Sequence, residues 1–283
     1  MGRGATTNCT HSVRILFLGQ CLIYGYDGVD HASTFVNHAV ANLATRFGDR
    51  HITLVRKHLY HPNGLKAILR HRFLFSRPDI VVISVIASFA VQRVRVNLLY
   101  EMAPEIVDTA RSFTRKIEAR GTRHNGAPKQ QTAIDRFAAW HPPIALAEYE
   151  RLVEEGVDIC QSGGARVVLL GPGRFNEDIE ADFSVPRSEV PILFASVNEM
   201  VRRVSKRKGA LVVDAQGALC ERGGEVFLPQ NIRWSRHGHD LVALELESVL
   251  ASEIIRSNPS AISRHDDRID KRQLANNLAG RRP

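Results

Sequence analysis

The sequence lacks any long apolar run. No hydrophobic stretch approaches the ~20 residues that a membrane-spanning helix needs. The segment from Met1 to Ser12 is polar and has no apolar core of the kind found in secretory signal peptides. We therefore predict no membrane span, a flexible N-terminus over residues 1–12 and a cytoplasmic protein.

Cysteine is scarce, and its spacing is irregular. The four cysteines show no CxxC pair, so the sequence indicates neither a zinc site nor a disulfide framework. His58 and His61 lie three residues apart, but no third ligand has a convincing spacing. The segment Gly171-Pro172-Gly173 lacks the Lys-Ser/Thr pair of a phosphate-binding loop. We predict no metal site and no cofactor.

Aromatic residues are few, at 7%, and they do not interleave with the basic residues that give a net charge of +8. This pattern does not support a nucleic-acid platform. The basic cluster from Arg202 to Gly209 ends a helical pattern, where cations interact favourably with the helix dipole. Ser257 to Pro283 holds six basic and three acidic residues and few large apolar ones. This composition predicts a basic, disordered tail over residues 257–283.

Short runs rich in valine, isoleucine and leucine alternate with amphipathic helical patterns. The runs are Val13–Leu18, Ile52–Val55, Ile80–Val85, Arg166–Leu170 and Leu211–Val213. The helical patterns are Thr34–Phe47, Gly64–Phe75, Pro186–Lys208 and His237–Ile255. Such alternation predicts a three-layer α/β/α sandwich over residues 13–256, with a parallel central sheet of about five strands.

The interval from about Ala90 to Ser162 is longer than one crossover helix needs. We interpret it as a helical insertion, with helices over Arg95–Arg120 and Pro143–Cys160 joined by a polar loop. In open parallel sheets, ligands bind beyond the carboxyl ends of the strands. The segments that follow the predicted strands are therefore the candidates for a functional cleft, and they include Cys21, His58, Ser88 and the stretch from Pro229 to His239.

Two of these segments resemble the SGNH (GDSL-type) hydrolases, a superfamily of esterases and lipases. Residues 15–26 have a hydrophobic strand that leads to Gly19 and then to Tyr24-Gly25, and residues 233–239 contain Trp234-Ser235 and Gly238-His239. The similarity covers most of Val13 to Ile255. It implies a flavodoxin-like, SGNH-hydrolase-like fold, in which His239 packs and caps a helix.

The reactive side chains of that family are replaced in this sequence. By the resemblance, Cys21 stands at the nucleophilic serine, His58 at the oxyanion-hole glycine and Ser88 at the asparagine. Gln230 replaces the catalytic acid and Arg233 replaces the catalytic base. The chain is therefore identified as a degenerate member of the superfamily.

These replacements leave some chemistry open. A thiolate at a strand end and helix start, beside a cation, has the environment of a nucleophilic cysteine, and His58 across the cleft is its candidate base. Ser88 is a candidate donor to a ligand oxygen. Arg233 stays protonated, so it cannot act as a base but can hold an anion. The other reading of Cys21 is a small buried side chain that fills the space of serine.

Three function classes follow. The first is a hydrolase or acyltransferase that acts on ester or thioester bonds through Cys21. The second is a catalytically inactive pseudo-hydrolase that binds a small anionic or sugar-like ligand or a protein partner. The third is an interaction module that uses the tail and the insertion. Loss of all the family's catalytic side chains favours binding, whereas a cysteine at the serine position keeps catalysis open.

Overall fold

The computed structural model describes residues 12–26, 28–47, 52–97, 138–179, 183–221, 225–229, 231 and 233–257. The strands are β1 (Val13–Gly19), β2 (Ile52–His58), β3 (Ile80–Ser84), β4 (Val94–Asn97), β5 (Ala138–His141), β6 (Arg166–Leu170) and β7 (Leu211–Val213). The α-helices are α1 (Phe35–Phe47), α2 (Leu65–Phe75), α3 (Ser88–Val91), α4 (Leu146–Ser162), α5 (Val190–Lys208), α6 (Ala215–Glu221) and α7 (Arg236–Ser257).

Five strands form one parallel sheet in the order β2-β1-β3-β6-β7. The runs in β1, β3 and β6 are buried on both faces, as their content of valine, isoleucine and leucine predicts. β2 lies at an edge and is only half-buried. The predicted parallel sheet of about five strands is confirmed.

Helices cover both faces of the sheet. Alternation along β1 sends Ile15 and Phe17 into the core on the α1 and α7 side, and Leu16 and Leu18 into the core on the other side. On the first face, α1 packs against α7; on the second, α4 packs against both α2 and α5. The predicted three-layer sandwich is therefore confirmed. None of the described helices is both long and apolar enough to cross a membrane.

The predicted helical insertion needs two corrections. Residues 94–97, which the sequence assigned in part to a helix from Arg95, form a strand that pairs antiparallel with β5. The rest of that predicted helix lies outside the described residues. The second predicted helix, α4, buries a stripe at helical spacing that includes Tyr149, Val153 and Cys160, and it contacts the core helices. α4 is thus the crossover helix between β3 and β6. It belongs to the core fold and not to an insertion.

The predicted terminal segments fall almost wholly outside the described residues. Ser12 is described, and its hydroxyl lies 3.1 Å from the hydroxyl of Thr53 on β2. The last described residue is Ser257, where α7 ends.

Candidate functional site

The carboxyl edge of the sheet is closely packed where β1 ends. Gly19 pairs in register with His58 of β2, and its carbonyl accepts a hydrogen bond of 2.6 Å from the amide of Leu59. A Cβ on Gly19 would lie 3.1 Å from Ser84 at the end of β3 and 3.1 Å from Ile23. Glycine at this position therefore allows the end of β1 to lie close to the end of β3 and to the Cys21–Ile23 turn.

Cys21 starts a three-residue 3₁₀ turn, Cys21–Ile23, and is half-buried. Its carbonyl accepts hydrogen bonds of 3.0 Å from the amides of Tyr24 and Gly25. The sequence placed Cys21 at the start of a helix, but the first α-helix begins only at Phe35. A single 3₁₀ turn aligns too few peptide dipoles to act as a helix N-terminus.

Tyr26 is electrostatically influenced by both Cys21 and Arg233. The guanidinium carbon of Arg233 lies 5.1 Å from the centre of the Tyr26 ring, within the range of a cation–π contact. Burial raises the pKa of the Tyr26 hydroxyl; the neighbouring Cys21 raises it further, and Arg233 acts in the opposite direction. The thiol and the guanidinium therefore both lie within electrostatic range of one phenol.

The hydroxyl of Tyr26 is held by residues near the start of α7. It donates a hydrogen bond of 2.5 Å to the carbonyl of Trp234 and lies 2.7 Å from Nε2 of His239. Because Nδ1 of His239 accepts a hydrogen bond from the amide of Phe35 at 3.1 Å, Nε2 carries the proton and donates to Tyr26. Burial, and secondarily His38, lower the pKa of His239 to about 4. His239 is thus a neutral structural residue that caps α1.

His58 is the last residue of β2, and its ring contacts two aromatic rings. Its ring centre is 5.8 Å from that of Tyr24 and 4.1 Å from that of Tyr60. The sequence predicted a strand over Ile52–Val55 with His58 in the segment after it, but the strand continues to His58. Basic side chains can extend an edge strand, because one side of such a strand remains open to solvent.

Ser88 follows β3 and is buried, as the first residue of the short helix α3. Its neighbour Phe89 packs edge-on against His61, with ring centres 5.6 Å apart. Burial, and secondarily His141, lower the pKa of His61 to about 4. In the sheet, β3 borders β1 on the side opposite β2, so Ser88 and His58 lie on opposite sides of β1.

The four predicted site residues all belong to the carboxyl edge of the sheet, but they differ in how closely the structure joins them. Arg233 stacks on Tyr26, Cys21 lies within electrostatic range of the same phenol, and His58 ends the neighbouring strand β2. Ser88 lies beyond the end of β3. Gln230, the predicted replacement for the catalytic acid, lies outside the described residues. Among the described residues, no group of three or more histidine, cysteine, aspartate or glutamate side chains could hold a metal ion.

Sequence reasoning missed Tyr26. The residue belongs to the segment that carries the family resemblance, but its hydroxyl partners, Trp234 and His239, are more than 200 positions away. No local pattern indicates such a contact. The only signal was its position one residue after the Tyr24-Gly25 pair.

No family model and no curated protein matches the sequence. Solved structures do match the fold. A catalytic variant of Axe2, an acetylxylan esterase from Geobacillus stearothermophilus, superposes with a TM-score of 0.52 at 16% identity, over 84% of this chain and 94% of that one. A member of the lipolytic G-D-S-L family from Veillonella parvula gives 0.52 at 13% identity, over 84% and 98%.

The esterase EstA from a Pseudoalteromonas species gives a TM-score of 0.51 at 12% identity, over 85% of this chain and 98% of that one. These identities are low, so the similarity concerns the fold. It spans nearly the whole length of each matched structure. The chain therefore has the fold of the SGNH (GDSL-type) esterases and lipases.

Proposed function

We propose that the protein is a hydrolase or acyltransferase in which Cys21 attacks an acyl ester or thioester. The observation that carries this proposal is that Arg233 stacks on Tyr26, whose phenol also lies within electrostatic range of Cys21. A fixed cation beside a thiol favours the thiolate, which is the nucleophilic form of cysteine. Cys21 stands where the family resemblance expects the nucleophile, and Arg233 stands in place of the base.

The first step transfers the acyl group to sulfur. The thiolate of Cys21 attacks the carbonyl carbon and forms a C–S bond, and the bond to the leaving oxygen or sulfur breaks with its electron pair. A leaving thiolate departs without a proton, whereas an alkoxide must receive one from a general acid. A site with arginine in place of the base therefore suits thioesters better than esters. The hydroxyl of Ser88 and the guanidinium of Arg233 would stabilise the developing oxyanion.

The second step releases the acyl group. A water molecule, or an acceptor hydroxyl for transfer, attacks the acyl-cysteine and gives its proton to His58, and Cys21 leaves as the thiolate. Support for His58 in this role comes from its place opposite Gly19, two residues before Cys21. The contacts of its ring with those of Tyr24 and Tyr60 would restrict the orientation of His58.

The alternative is a catalytically inactive pseudo-hydrolase that binds a small anionic ligand. One observation favours it: Arg233, the permanent cation that the resemblance puts at the position of the family's base, stacks on Tyr26. Such a group binds an anion without moving protons. In this case Cys21 would be a small, half-buried side chain in the wall of the cleft.

Steady-state kinetics on a short acyl thioester and a short acyl ester separate the two functions. Turnover in the wild type that disappears in Cys21→Ala supports the enzyme. We expect His58→Gln to slow release of the acyl group and Arg233→Gln to reduce kcat/KM by about 10- to 100-fold. A fluorophosphonate probe should not label the protein. Turnover that survives Cys21→Ala, or labelling at Ser88 or Ser235, would contradict the proposal.

A further inference from the structure

Arg56 lies on β2 two residues before His58, so the two side chains share one face of the sheet. Its guanidinium is half-buried. Nη1 lies 3.1 Å from Nε2 of His31, and Nη2 donates to Oδ1 of Asn37. Nε is buried and has no hydrogen-bond acceptor among the residues that the structure describes.

The charge of Arg56 is not neutralised within the described part of the chain. No aspartate or glutamate there lies within 4.0 Å of its guanidinium, whereas the more exposed Arg203 and Arg207 both pair with Glu150. Burial lowers the pKa of Arg56, and the neighbouring Tyr24 opposes this effect. A half-buried cation without a counter-ion loses hydration free energy that neutral hydrogen-bond partners restore only in part. An anionic ligand would supply the missing partner.

The surroundings of Arg56 hold the guanidinium in one orientation. His31 accepts from Arg56 through Nε2, so its Nδ1 carries a proton and donates to the carbonyl of Tyr24 at 2.9 Å. The amide nitrogen of Asn37 in turn donates to the carbonyl of His31. These neutral partners hold the planar guanidinium of Arg56 in place without cancelling its charge. A guanidinium that is both oriented and charged binds oxyanions well.

The Arg56 cluster is joined to the proposed reaction site through Tyr24. Tyr24 is three residues from Cys21, donates its amide hydrogen to the carbonyl of Cys21, and stacks on the ring of His58. The side chains of His31 and Tyr24 are both exposed, so the cluster is open to solvent at its rim.

We infer that Arg56, held by His31 and Asn37, is an oxyanion subsite that binds a carboxylate or phosphate group of the ligand beside the Cys21 turn. This inference goes beyond the proposed function, because an anion can bind at Arg56 whether or not Cys21 turns over. The ligand of this cleft is therefore an acidic molecule. The anionic group of this ligand would bind beside β2, and its acyl group would lie at Cys21.

Isothermal titration calorimetry with inorganic phosphate and with acetate, at constant ionic strength set by chloride, tests the inference. Wild type and Cys21→Ala should bind at least one of the two anions equally well. Arg56→Gln should bind that anion at least about tenfold more weakly. The matched control is Arg46→Gln, because Arg46 is an exposed arginine that lies 3.9 Å from Glu247; it should bind as the wild type does.

The two anions also distinguish the source of the acidic group. Preference for phosphate indicates a phosphate-bearing ligand, and preference for acetate indicates a carboxylate. If Arg56→Gln does not fold, Arg56→Lys serves in its place, because it keeps the charge and loses the planar guanidinium. Anion binding should weaken by the same factor of about ten. The inference would be overturned if neither phosphate nor acetate bound more strongly than chloride. It would also be overturned if Arg233→Gln weakened anion binding and the Arg56 variants did not.

Discussion

At the scale of single residues, the proposed chemistry depends on what surrounds the sulfur atom of Cys21. Cys21 lies at a strand end beside Tyr26, whose ring carries the guanidinium of Arg233. Cys160, by contrast, is fully buried, and burial raises the pKa of its thiol to about 12. Cys220 is exposed. Among the described residues, these cysteines thus provide a reactive candidate, a buried reference and an exposed reference.

We predict that iodoacetamide alkylates Cys21 faster than Cys160 and Cys220 at neutral pH, because the thiolate is the reacting form. Arg233→Gln should slow the alkylation of Cys21 several-fold. Arg174→Gln is the matched control: the guanidinium of Arg174 lies 5.5 Å from the centre of the Phe227 ring, so this variant also removes a cation–π arginine. Peptide mass spectrometry measures the rates. Cys21 reacting no faster than Cys220 would count against activation.

At the scale of elements, the segment that carries Arg233 is held against the start of α7. Phe227 and Trp234 form an antiparallel bridge, and the amide of Ser235 donates to the carbonyl of Val226 at 2.9 Å. A Cβ at Gly238 would lie 2.3 Å from that same carbonyl oxygen and 3.0 Å from Cβ of Trp234. Only glycine allows α7 to begin this close to the segment.

Gly238→Ala should therefore lower the free energy of unfolding by about 2–4 kcal/mol, because backbone must move to remove the clash. It should also slow the alkylation of Cys21, since Arg233 would shift with the segment. Urea denaturation measures the first effect. Ser248→Ala, an exposed site on the same helix, should change stability by less than about 0.5 kcal/mol. A Gly238→Ala variant as stable as the wild type would show that the segment adapts freely.

Most elements could be predicted from the sequence, because buried strands and amphipathic helices have local patterns. β6 and β7 match the predicted bounds, and α1 begins one residue after its predicted start. β2 was predicted three residues too short, since its last residues are basic and lie on an edge strand. The contact of Tyr26 with Arg233 could not be predicted, because it depends on how distant segments meet.

At the scale of the whole molecule, stability should depend on pH through two buried histidines. His239 and His61 each have a pKa lowered to about 4, mainly by burial, against an ordinary value of 6.5. The unfolded chain therefore binds more protons than the folded chain between pH 6.5 and 4. The stability that these residues contribute is fully present above pH 6.5 and is lost as the pH falls toward 4.

We predict that the free energy of unfolding falls by about 2 kcal/mol per histidine between pH 7 and pH 4.5, as measured by urea denaturation. His239→Gln should be less stable than the wild type at pH 7 and should lose less stability on acidification. His237→Gln, which changes the exposed neighbour, should keep the wild-type pH dependence. An unchanged pH dependence in His239→Gln would mean that the histidine is not held neutral.

The central claim is that an SGNH-type fold here presents a cysteine nucleophile beside a fixed arginine. The most direct test is intact-protein mass spectrometry, with peptide mapping, during incubation with a short acyl thioester. We predict a single acyl adduct on Cys21 that forms before any adduct on Cys220, disappears in Cys21→Ala and accumulates in His58→Gln. No adduct on Cys21, or equal acylation of Cys21 and Cys220, would contradict the account.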